Sequence, residues 1–235
     1  MNDDGEALDK AVRTLSRLLL SEETLEATHG RVAGLACGTL RCCDLASVTM
    51  VTDGRPSTPV HTDPLAGDLD SAQYRSQRGP CLEAYDGRQV VREKIAENAD
   101  RWPEFTAVAE KAGVRSVLAV PLVANDRTIG ALNLYSRSDD CYDETDEESA
   151  RLFSAQAAVA CANAEVYWRT YTLTEHLREA LESRDVIGQA KGILMVRRGC
   201  TPEAAFEALR KVSQHRNIKL REVAEHVVYL GDLEE

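Results

Sequence analysis

The chain has 235 residues, of which 43% are hydrophobic, and its formal net charge at pH 7 is −11. This length allows one large or two modest domains with a buried core, and no run approaches the ~18 consecutive apolar residues of a membrane span, so we expect no membrane contact. The polar N-terminus MNDDGEALDK does not resemble a secretory signal, and seven cysteines without a CxxC pair favour reduced thiols in a cytoplasmic protein over a disulfide framework.

The first 135 residues mix helices with short strands. Apolar spacing and turn residues predict, in chain order, helices at 5–20 and about 23–41, a strand at 46–51, a polar loop at 55–79 with a short helix at 68–76, a short helix at 81–85, a strand at 89–92, a helix at 103–112, and strands at 114–123 and 128–135. The last two strands flank a polar turn and therefore form a hairpin. This mixture predicts an α+β fold, in which helices flank an antiparallel sheet.

From about residue 143 the chain is helical, and one apolar seam runs along it. Its members follow each other at strict seven-residue steps: Leu152, Val159, Val166, Leu173, Ala180, Ile187 and Leu194. This spacing is typical of a coiled coil or a bundle helix, and an unbroken helix over 143–199 would be about 80 Å long. We therefore predict a long coiled-coil linker helix and a parallel homodimer. The companion positions are mixed over 169–183, which indicates either a hinge or a break between two helices.

Two shorter helices complete the chain. Thr-Pro-Glu at 201–203 combines a helix N-cap, a first-turn proline and a first-turn acid, and Asn217 ends this helix. A last helix is predicted at about 219–230. Three helices joined by tight turns would form a small bundle around Met195 and Phe206.

Residues 184–221 form a basic island in an acidic chain. Nine Lys/Arg against three Asp/Glu give the island a net charge of +6, so the remainder carries −17. Local positive charge indicates a segment that meets an anion, and nucleic acid is the commonest large anion in a cell. From charge alone, a solvated basic helix surface is the alternative.

Enzyme motifs are missing from the sequence. It contains no GxxxxGK[ST], GxGxxG, HExxH or GxSxG. His61 near Asp63 has the chemistry of a base or a haem ligand, but a loop histidine is more often a surface residue. Cys37, Cys42 and Cys43 form either a redox or metal cluster or a set of small buried residues at the second helix. We predict no catalytic residue, no metal site and no cofactor.

A dense run of motifs marks the C-terminal stretch. It comprises RDVIGQAKGILM at 184–195, TPEAAFEALR at 201–210, Ser213, NIKL at 217–220 and Val-Ala at 223–224. These residues resemble the ANTAR family, whose members are three-helix RNA-binding modules of transcription antiterminators. The resemblance spans about 177–230 and implies binding to paired hairpin loops in nascent RNA, which prevents a terminator from forming.

Candidate RNA contacts follow from this resemblance and from the chemistry of RNA loops, which are recognised through phosphates and unstacked bases by cations and small polar donors. The candidates are Arg184, Lys191, Gly192, Arg198, Arg210, Ser213, Gln214, Arg216, Asn217 and Lys219. Lys191 places a cation beside Gly192, where a backbone can approach closely. For Ser213 and Asn217 helix capping is an alternative role.

The helical periodicity sorts these candidates further. Arg184, Lys191 and Arg198 lie on one stripe of the long helix, and Arg210, Ser213 and Asn217 share one face of the next helix. We expect no exposed aromatic platform in this module, because Phe206 lies on the apolar face. Base stacking would then use arginine planes or be absent.

A second resemblance covers about residues 8–165. It is carried by Gln-Tyr at 73–74, GPCLEA at 79–84, Trp-Pro at 102–103, GVRSVLAVPL at 113–122 and IGALNLY at 129–135. These motifs are similar to GAF domains, and the arrangement is similar to actinobacterial GAF–ANTAR regulators. GAF domains bind small molecules or only dimerise, so the resemblance leaves a ligand of unknown identity open.

The sequence therefore predicts a GAF-like sensor domain at 1–165, a helical linker at 166–176 and an ANTAR-like RNA-binding domain at 177–232. Two rival functions remain. One is a transcription factor that uses the last two helices as a DNA-binding helix-turn-helix, although its reading helix would carry Glu222 and Glu225. The other is a small-molecule or redox sensor that acts through protein partners, with Cys37, Cys42 and Cys43 as the reactive part.

Overall fold

A computed structural model describes residues 2–18 and 24–233 of the chain. Its elements in chain order are α1 (Asn2–Leu18), α2 (Leu25–Thr39), β1 (Leu45–Thr52), β2 (Arg55–His61), α3 (Pro64–Ser76), α4 (Pro80–Gly87), β3 (Val91–Lys94), a 3₁₀ turn (Ile95–Asn98), α5 (Pro103–Lys111), β4 (Ser116–Ala124), β5 (Arg127–Ser136), α6 (Glu144–Arg198), α7 (Pro202–Arg216) and α8 (Leu220–Leu230). The chain divides into two compact units, Met1–Trp168 and Arg169–Glu235, and α6 runs from the first into the second. Nowhere in the described ranges is a helix both long and apolar enough to cross a membrane.

The N-terminal unit is built on a five-stranded antiparallel sheet in the order β2-β1-β5-β4-β3. Strands β4 and β5 form the hairpin that the sequence predicts. Its turn residues Asn125 and Asp126 adopt φ of 49° and 59°, the left-handed pair that matches the twist of two joined strands. At Gly130 an added Cβ would lie 1.9 Å from the carbonyl oxygen of Thr49, so the close approach of β5 to the neighbouring strand β1 requires glycine here.

Each face of the sheet covers its own apolar core. The first core packs side chains of α1, α2 and the start of α6 on the sheet, among them Leu15, Val32, Leu132, Leu134 and Phe153. The second core lies under α3 and α5 and includes Leu69, Ile95, Trp102, Phe105 and Tyr135. Strands β1 and β5 are buried on both faces, so they form the middle of a three-layer α/sheet/α arrangement.

Two elements differ from the sequence expectation of a polar loop over 55–79. Residues Arg55–His61 form strand β2, and α3 begins four residues earlier than the expected short helix. Strand β2 lies at the edge of the sheet, where Arg55, Ser57 and His61 are exposed and Pro56 and Pro59 are tolerated. An edge strand of this composition lacks the apolar alternation on which the prediction relied.

The long helix is continuous from Glu144 to Arg198, which removes the alternative of a break within 169–183. Its seam, however, divides. Leu152, Val159, Val166 and Leu173 are exposed, whereas Leu194 is fully buried among α7 and α8. The apolar series therefore lies at the surface over its first four members and in the core of the C-terminal helices at Leu194. For the first two helices, the predicted residues 19, 20 and 23 lie outside the described residues.

One disulfide bond departs from the expectation of reduced thiols. Cys42, in the turn after α2, is joined to Cys141, in the segment before α6, with a Cα–Cα distance of 6.0 Å. Cys37, Cys43 and Cys200 are half-buried free thiols, while Cys81 and Cys161 are buried. The two bonded cysteines are 99 positions apart in the sequence, so no local sequence pattern indicated the pair.

Candidate nucleic-acid interface

The C-terminal unit is a three-helix bundle made by the last part of α6 with α7 and α8. Its buried core consists of Ala190, Leu194, Ala205, Leu209, Val223, Ala224 and Val227. Two ion pairs fix the helix directions. Arg221 at the start of α8 lies 3.5 Å from Glu182 of α6, and Arg198 lies 2.6 Å from Asp232, just beyond the end of α8. Helix α8 therefore runs in the same direction as α6, and α7 runs back between them.

A cation and an aromatic ring mark the contact between α6 and α7. The Lys191 ammonium lies 5.9 Å from the centroid of the Phe206 ring, within the range of a cation–π interaction. Arg184 lies about 10 Å before Lys191 on the same side of α6, because seven residues make nearly two turns. Since α7 is antiparallel to α6, we expect Arg184 to be level with Ser213, which follows Phe206 by seven residues.

Further candidate residues extend the same side of α7. One side of α7 carries Phe206, Arg210 and Ser213 at steps of four and three residues, and Asn217 follows as the C-cap of the helix. We call the set Arg184, Lys191, Phe206, Arg210, Ser213 and Asn217 the α6–α7 face. It carries three cations and two small polar residues, all in the unit that holds the basic island.

Ser213 and Asn217 also hold the turn after α7. The Ser213 hydroxyl donates a hydrogen bond to the carbonyl oxygen of Ile218 at 2.7 Å. Asn217 adopts the left-handed conformation with φ of 52°, and its backbone N–H donates to the carbonyl of Ser213. Both residues therefore have the capping role that was the alternative, and the exposed Asn217 amide still faces solvent.

The other predicted residues are distributed around this face. Gln214, Arg216 and Lys219 are exposed at the end of α7 and in the following turn, at the same end of the bundle as Arg184. Gly192 is exposed, and an added Cβ would meet nothing within 4 Å, so a partner backbone has room to approach there. The structure does not group Arg198 with them, because its guanidinium bonds Asp232 and the carbonyl of Leu233 at the opposite end.

Two carboxylates moderate the positive charge of the face. Arg210 forms an exposed ion pair of 2.9 Å with Glu207. The pKa of Glu203 is lowered by its own backbone N–H and the Thr201 hydroxyl at the start of α7, and further by the charge of Lys191. Exposed ion pairs contribute little to stability, so a phosphate can displace such carboxylates from the arginine or lysine.

Two aromatic residues differ from the sequence expectation. Phe206 is half-buried beneath Lys191 rather than part of the buried core. The sequence predicted no exposed aromatic platform in this module, and the structure shows Tyr229 on α8 as an aromatic side chain that is 89% exposed. Tyr229 follows the buried Val227 by two residues, about 200° around the helix, so helical periodicity was the signal that could have shown it. The exposed Glu222 and Glu225 share its helix, which makes α8 the less favourable side for RNA.

The N-terminal unit contains a buried polar cluster between the sheet and α3, which sequence reasoning did not single out. The carboxylate of Asp70 accepts hydrogen bonds from the hydroxyls of Tyr135 (2.5 Å) and Thr58 (2.7 Å) and from the amide of Asn133 (3.1 Å). Burial raises the pKa of Asp70, and these donors partly oppose that shift. Gln73 joins the cluster by donating to the Tyr135 hydroxyl at 3.1 Å.

Gln73 also connects this cluster to α4. Gln73 also accepts a hydrogen bond of 2.9 Å from the backbone N–H of Cys81, and Gly79 packs against the Gln73 side chain too closely for any Cβ. The motif Gly79-Pro80-Cys81 thereby locks α4 to α3. In the described ranges no three His, Cys, Asp or Glu side chains are arranged to hold a metal ion.

Comparisons with known proteins agree with this division of the chain. Residues 22–162 match the model of the GAF domain, and residues 175–228 match the model of the ANTAR domain. The anaerobic nitric oxide reductase transcription regulator NorR of Escherichia fergusonii is 29% identical over 170 residues, which cover 66% of this chain and 32% of that protein. NorR of Escherichia coli K12 is 33% identical over 124 residues, which cover 52% and 24%. The chain thus spans about a third or less of these curated relatives.

Solved structures are similar in fold to the N-terminal unit. The GAF domain of a phosphoenolpyruvate-protein phosphotransferase from Acinetobacter aligns with a TM-score of 0.53 at 15% identity, covering 71% of this chain and 96% of that one. A free methionine-R-sulfoxide reductase from Neisseria meningitidis aligns with a TM-score of 0.54 at 17% identity, covering 68% and 91%. At these identities the likeness establishes the fold alone.

Proposed function

Because the chain belongs to the GAF domain family over residues 22–162 and carries an ANTAR domain over 175–228, we propose that it is a cytoplasmic transcription antitermination regulator. In this proposal a GAF sensor domain at 1–165 acts through a linker at 166–176 on an RNA-binding domain at 177–232. The chain acts by binding and not as an enzyme. Its RNA partner is a pair of hairpin loops in a nascent transcript.

The α6–α7 face carries this proposal. It concentrates Arg184, Lys191 and Arg210 in a segment of net charge +6, while the rest of the chain carries −17. Acidic surroundings repel RNA and would restrict its contact to this segment. The basic residues supply phosphate contacts, and the exposed Gln214 and Asn217 supply amides of the kind that hydrogen-bond to unstacked bases.

Salt dependence of RNA binding tests the face directly. A phosphate contact releases counterions, so each one lost should flatten the slope of log K against log salt by about 0.7 for single-stranded RNA. We expect Lys191→Ala and Arg210→Ala each to flatten the slope by about this amount, measured by fluorescence anisotropy with a two-hairpin RNA.

Arg221→Ala is the matched control. It removes one charge from the same basic island, but Arg221 is held by Glu182 and Glu225 on the α8 side of the bundle. We expect its slope to equal that of the wild type. Equal slopes for all three variants and the wild type would place the phosphate contacts elsewhere and refute the proposed face.

A parallel homodimer is the second part of the proposal. Leu152, Val159, Val166 and Leu173 are 40–65% exposed at seven-residue steps along one side of α6. A surface seam of this spacing is the pattern by which two helices pack in a coiled coil. A second copy of the chain would cover it and present two ANTAR domains to two RNA loops.

The two rival functions predict different binding results. Competition between duplex DNA and hairpin RNA distinguishes the helix-turn-helix function from RNA binding. The helix-turn-helix function requires α8 to contact DNA bases, although Glu222 and Glu225 are exposed on this helix. Preferential displacement by DNA would support that rival. A sensor acting only through protein partners predicts no nucleic-acid binding at all. The identity of a small-molecule ligand of the GAF domain stays open.

A further inference from the structure

Four half-buried cysteines meet where two segments of the N-terminal unit come together. Cys37 lies on α2, Cys42 and Cys43 lie in the turn from α2 to β1, and Cys141 lies in the segment from β5 to α6. The Cα atoms of Cys42 and Cys141 are 6.0 Å apart, within the 4.4–6.8 Å that a disulfide spans without backbone movement. We call the region of Cys37, Cys42, Cys43 and Cys141 the cysteine corner. This corner is accessible to small oxidants, whereas Cys81 and Cys161 are buried.

The remaining two thiols of the corner are hydrogen-bonded. The Cys37 thiol donates to the carbonyl of Cys43 at 3.3 Å, and the Cys43 thiol donates to the carbonyl of Leu45 at 3.2 Å. A hydrogen bond from the Cys43 side chain lowers the pKa of Cys37 to about 7. Cys37 and Cys43 are thus held by hydrogen bonds to backbone carbonyls, while Cys42 and Cys141 are paired with each other.

The same corner holds the first turn of α6. The Arg41 guanidinium donates to Asp146 at 2.6 and 3.0 Å and to Asp143 at 2.9 Å. Asp143 caps the helix by accepting from the backbone N–H groups of Thr145 (2.8 Å) and Asp146 (3.0 Å). The Cys42–Cys141 bond therefore adds a covalent link beside a set of polar links between the α2–β1 turn and the start of α6.

We propose that Cys42 and Cys141 are a reversible redox pair that takes a hydroperoxide as oxidant and a dithiol protein as reductant. The inference concerns the sensor unit and does not depend on RNA binding. In the reduced state only noncovalent contacts, among them the ion pairs of Arg41, hold the first turn of α6. In the oxidised state the disulfide fixes it.

The oxidation proceeds in two balanced steps. The thiolate of one cysteine attacks the O–O bond of the hydroperoxide, forming a sulfenic acid and releasing an alkoxide that takes up a proton. The thiol of the other cysteine then attacks the sulfenic sulfur, forming the S–S bond and releasing water. Two thiols and one hydroperoxide give one disulfide, one alcohol and one water. Reduction transfers two electrons and two protons from the dithiol, which leaves as its own disulfide.

Peptide mapping of the full chain after peroxide treatment tests the pairing. We expect one intramolecular link between the peptides that contain Cys42 and Cys141, and its loss on incubation with reduced thioredoxin. Cys141→Ser and Cys42→Ser should abolish the link. Cys43→Ser, which changes the neighbouring thiol in the same peptide, should leave it intact. Two unreacted thiols, or a link that survives Cys42→Ser, would overturn the proposal.

Hydrogen exchange of the two forms tests the structural consequence. We expect the amides of residues 143–147 to exchange at least fivefold more slowly in the oxidised chain than in the reduced chain, because the link suppresses opening of the first turn. Amides of residues 204–210 in α7 should be unchanged. Equal exchange of 143–147 in both redox states would show that the bond does not hold the start of α6.

Discussion

The exposed seam of α6 makes Val166 the most informative position for testing the homodimer. This residue is 65% exposed in the single chain, and Leu152, Val159 and Leu173 on the same series are 58%, 40% and 59% exposed. In a parallel two-stranded coil, equivalent residues of the two helices face each other. Val166→Glu would therefore bring two carboxylates together in the middle of the seam.

The free energy gained by pairing two α6 helices follows from the exposed fractions of these side chains. Taken together, the four residues amount to roughly two whole side chains per helix, and full burial of such a side chain is worth about 1.5–3 kcal/mol, so pairing two helices gains about 6–12 kcal/mol. Association costs about 4–15 kcal/mol and offsets most of this gain, so the seam supports a weak dimer, with a Kd in the micromolar range at the tightest.

Val166→Glu should weaken this dimer strongly. Losing two valines that are each two-thirds exposed removes about 2 kcal/mol, and two facing carboxylates that lose water cost at least another 1 kcal/mol, so Kd should rise about a hundredfold or more. Sedimentation equilibrium from 0.1 to 100 μM is the assay. The matched control is Val196→Glu, because Val196 is 86% exposed on the same helix but lies outside the seven-residue series.

Two results would refute the reasoning about the seam. If Val166→Glu associates as tightly as the wild type, the seam is not the dimer contact. If Val196→Glu dissociates the dimer as strongly as Val166→Glu, the effect comes from added negative charge on α6 and not from the seam. A wild type that is monomeric at 100 μM would remove the homodimer from the proposal.

Three further predictions concern single residues. His29 is buried, neither of its ring nitrogens is hydrogen-bonded among the described residues, and burial lowers its pKa from 6.5 to about 4. The free energy of unfolding should therefore decrease as pH falls below 6.5, by about 3 kcal/mol at pH 4. Urea unfolding of His29→Leu should lack this pH dependence. Gly130→Ala should lower Tm, because its Cβ would overlap the β1 backbone, whereas Gly188→Ala on α6 meets open space and should raise stability by up to about 1 kcal/mol. Asn217→Gly keeps the left-handed conformation at the end of α7. Reduced RNA affinity without reduced stability would identify the Asn217 side chain as an RNA contact. Unchanged RNA affinity would show that Asn217 acts only as a helix cap.

Local patterns were sufficient for the helices whose signals lie within their own sequence. The seven-residue series predicted α6, and Thr201 with Pro202 predicted the start of α7, since both depend on neighbours within one helix. Strand β2 was missed for the converse reason. As an edge strand with alternating polar exposure and two prolines, it is stabilised by pairing with β1, a partner that its own sequence does not show.

The candidate site was predictable in composition but not in geometry. Charge and motif identified Lys191 and Arg210, while the position of Phe206 beneath the Lys191 ammonium depends on how α7 packs on α6. Arg198 shows the opposite case, because its place on the basic stripe did not reveal Asp232, 34 residues later, as its partner. The Asp70 cluster and the Cys42–Cys141 pair likewise join residues far apart in sequence, so no spacing rule reaches them.

The divided seam limits how far two α6 helices can pair. Leu194 is fully buried by α7 and α8, and Ile187 packs against the same core, so neither can also face a second copy of α6. Within the seven-residue series, the members from Leu152 to Leu173, followed by the small Ala180, are exposed for dimer contact. A coiled coil must therefore end before residue 187. Beyond that point the apolar series stabilises the three-helix bundle, and the stripe with Arg184 and Lys191 lies outside the pairing surface, where RNA could reach it.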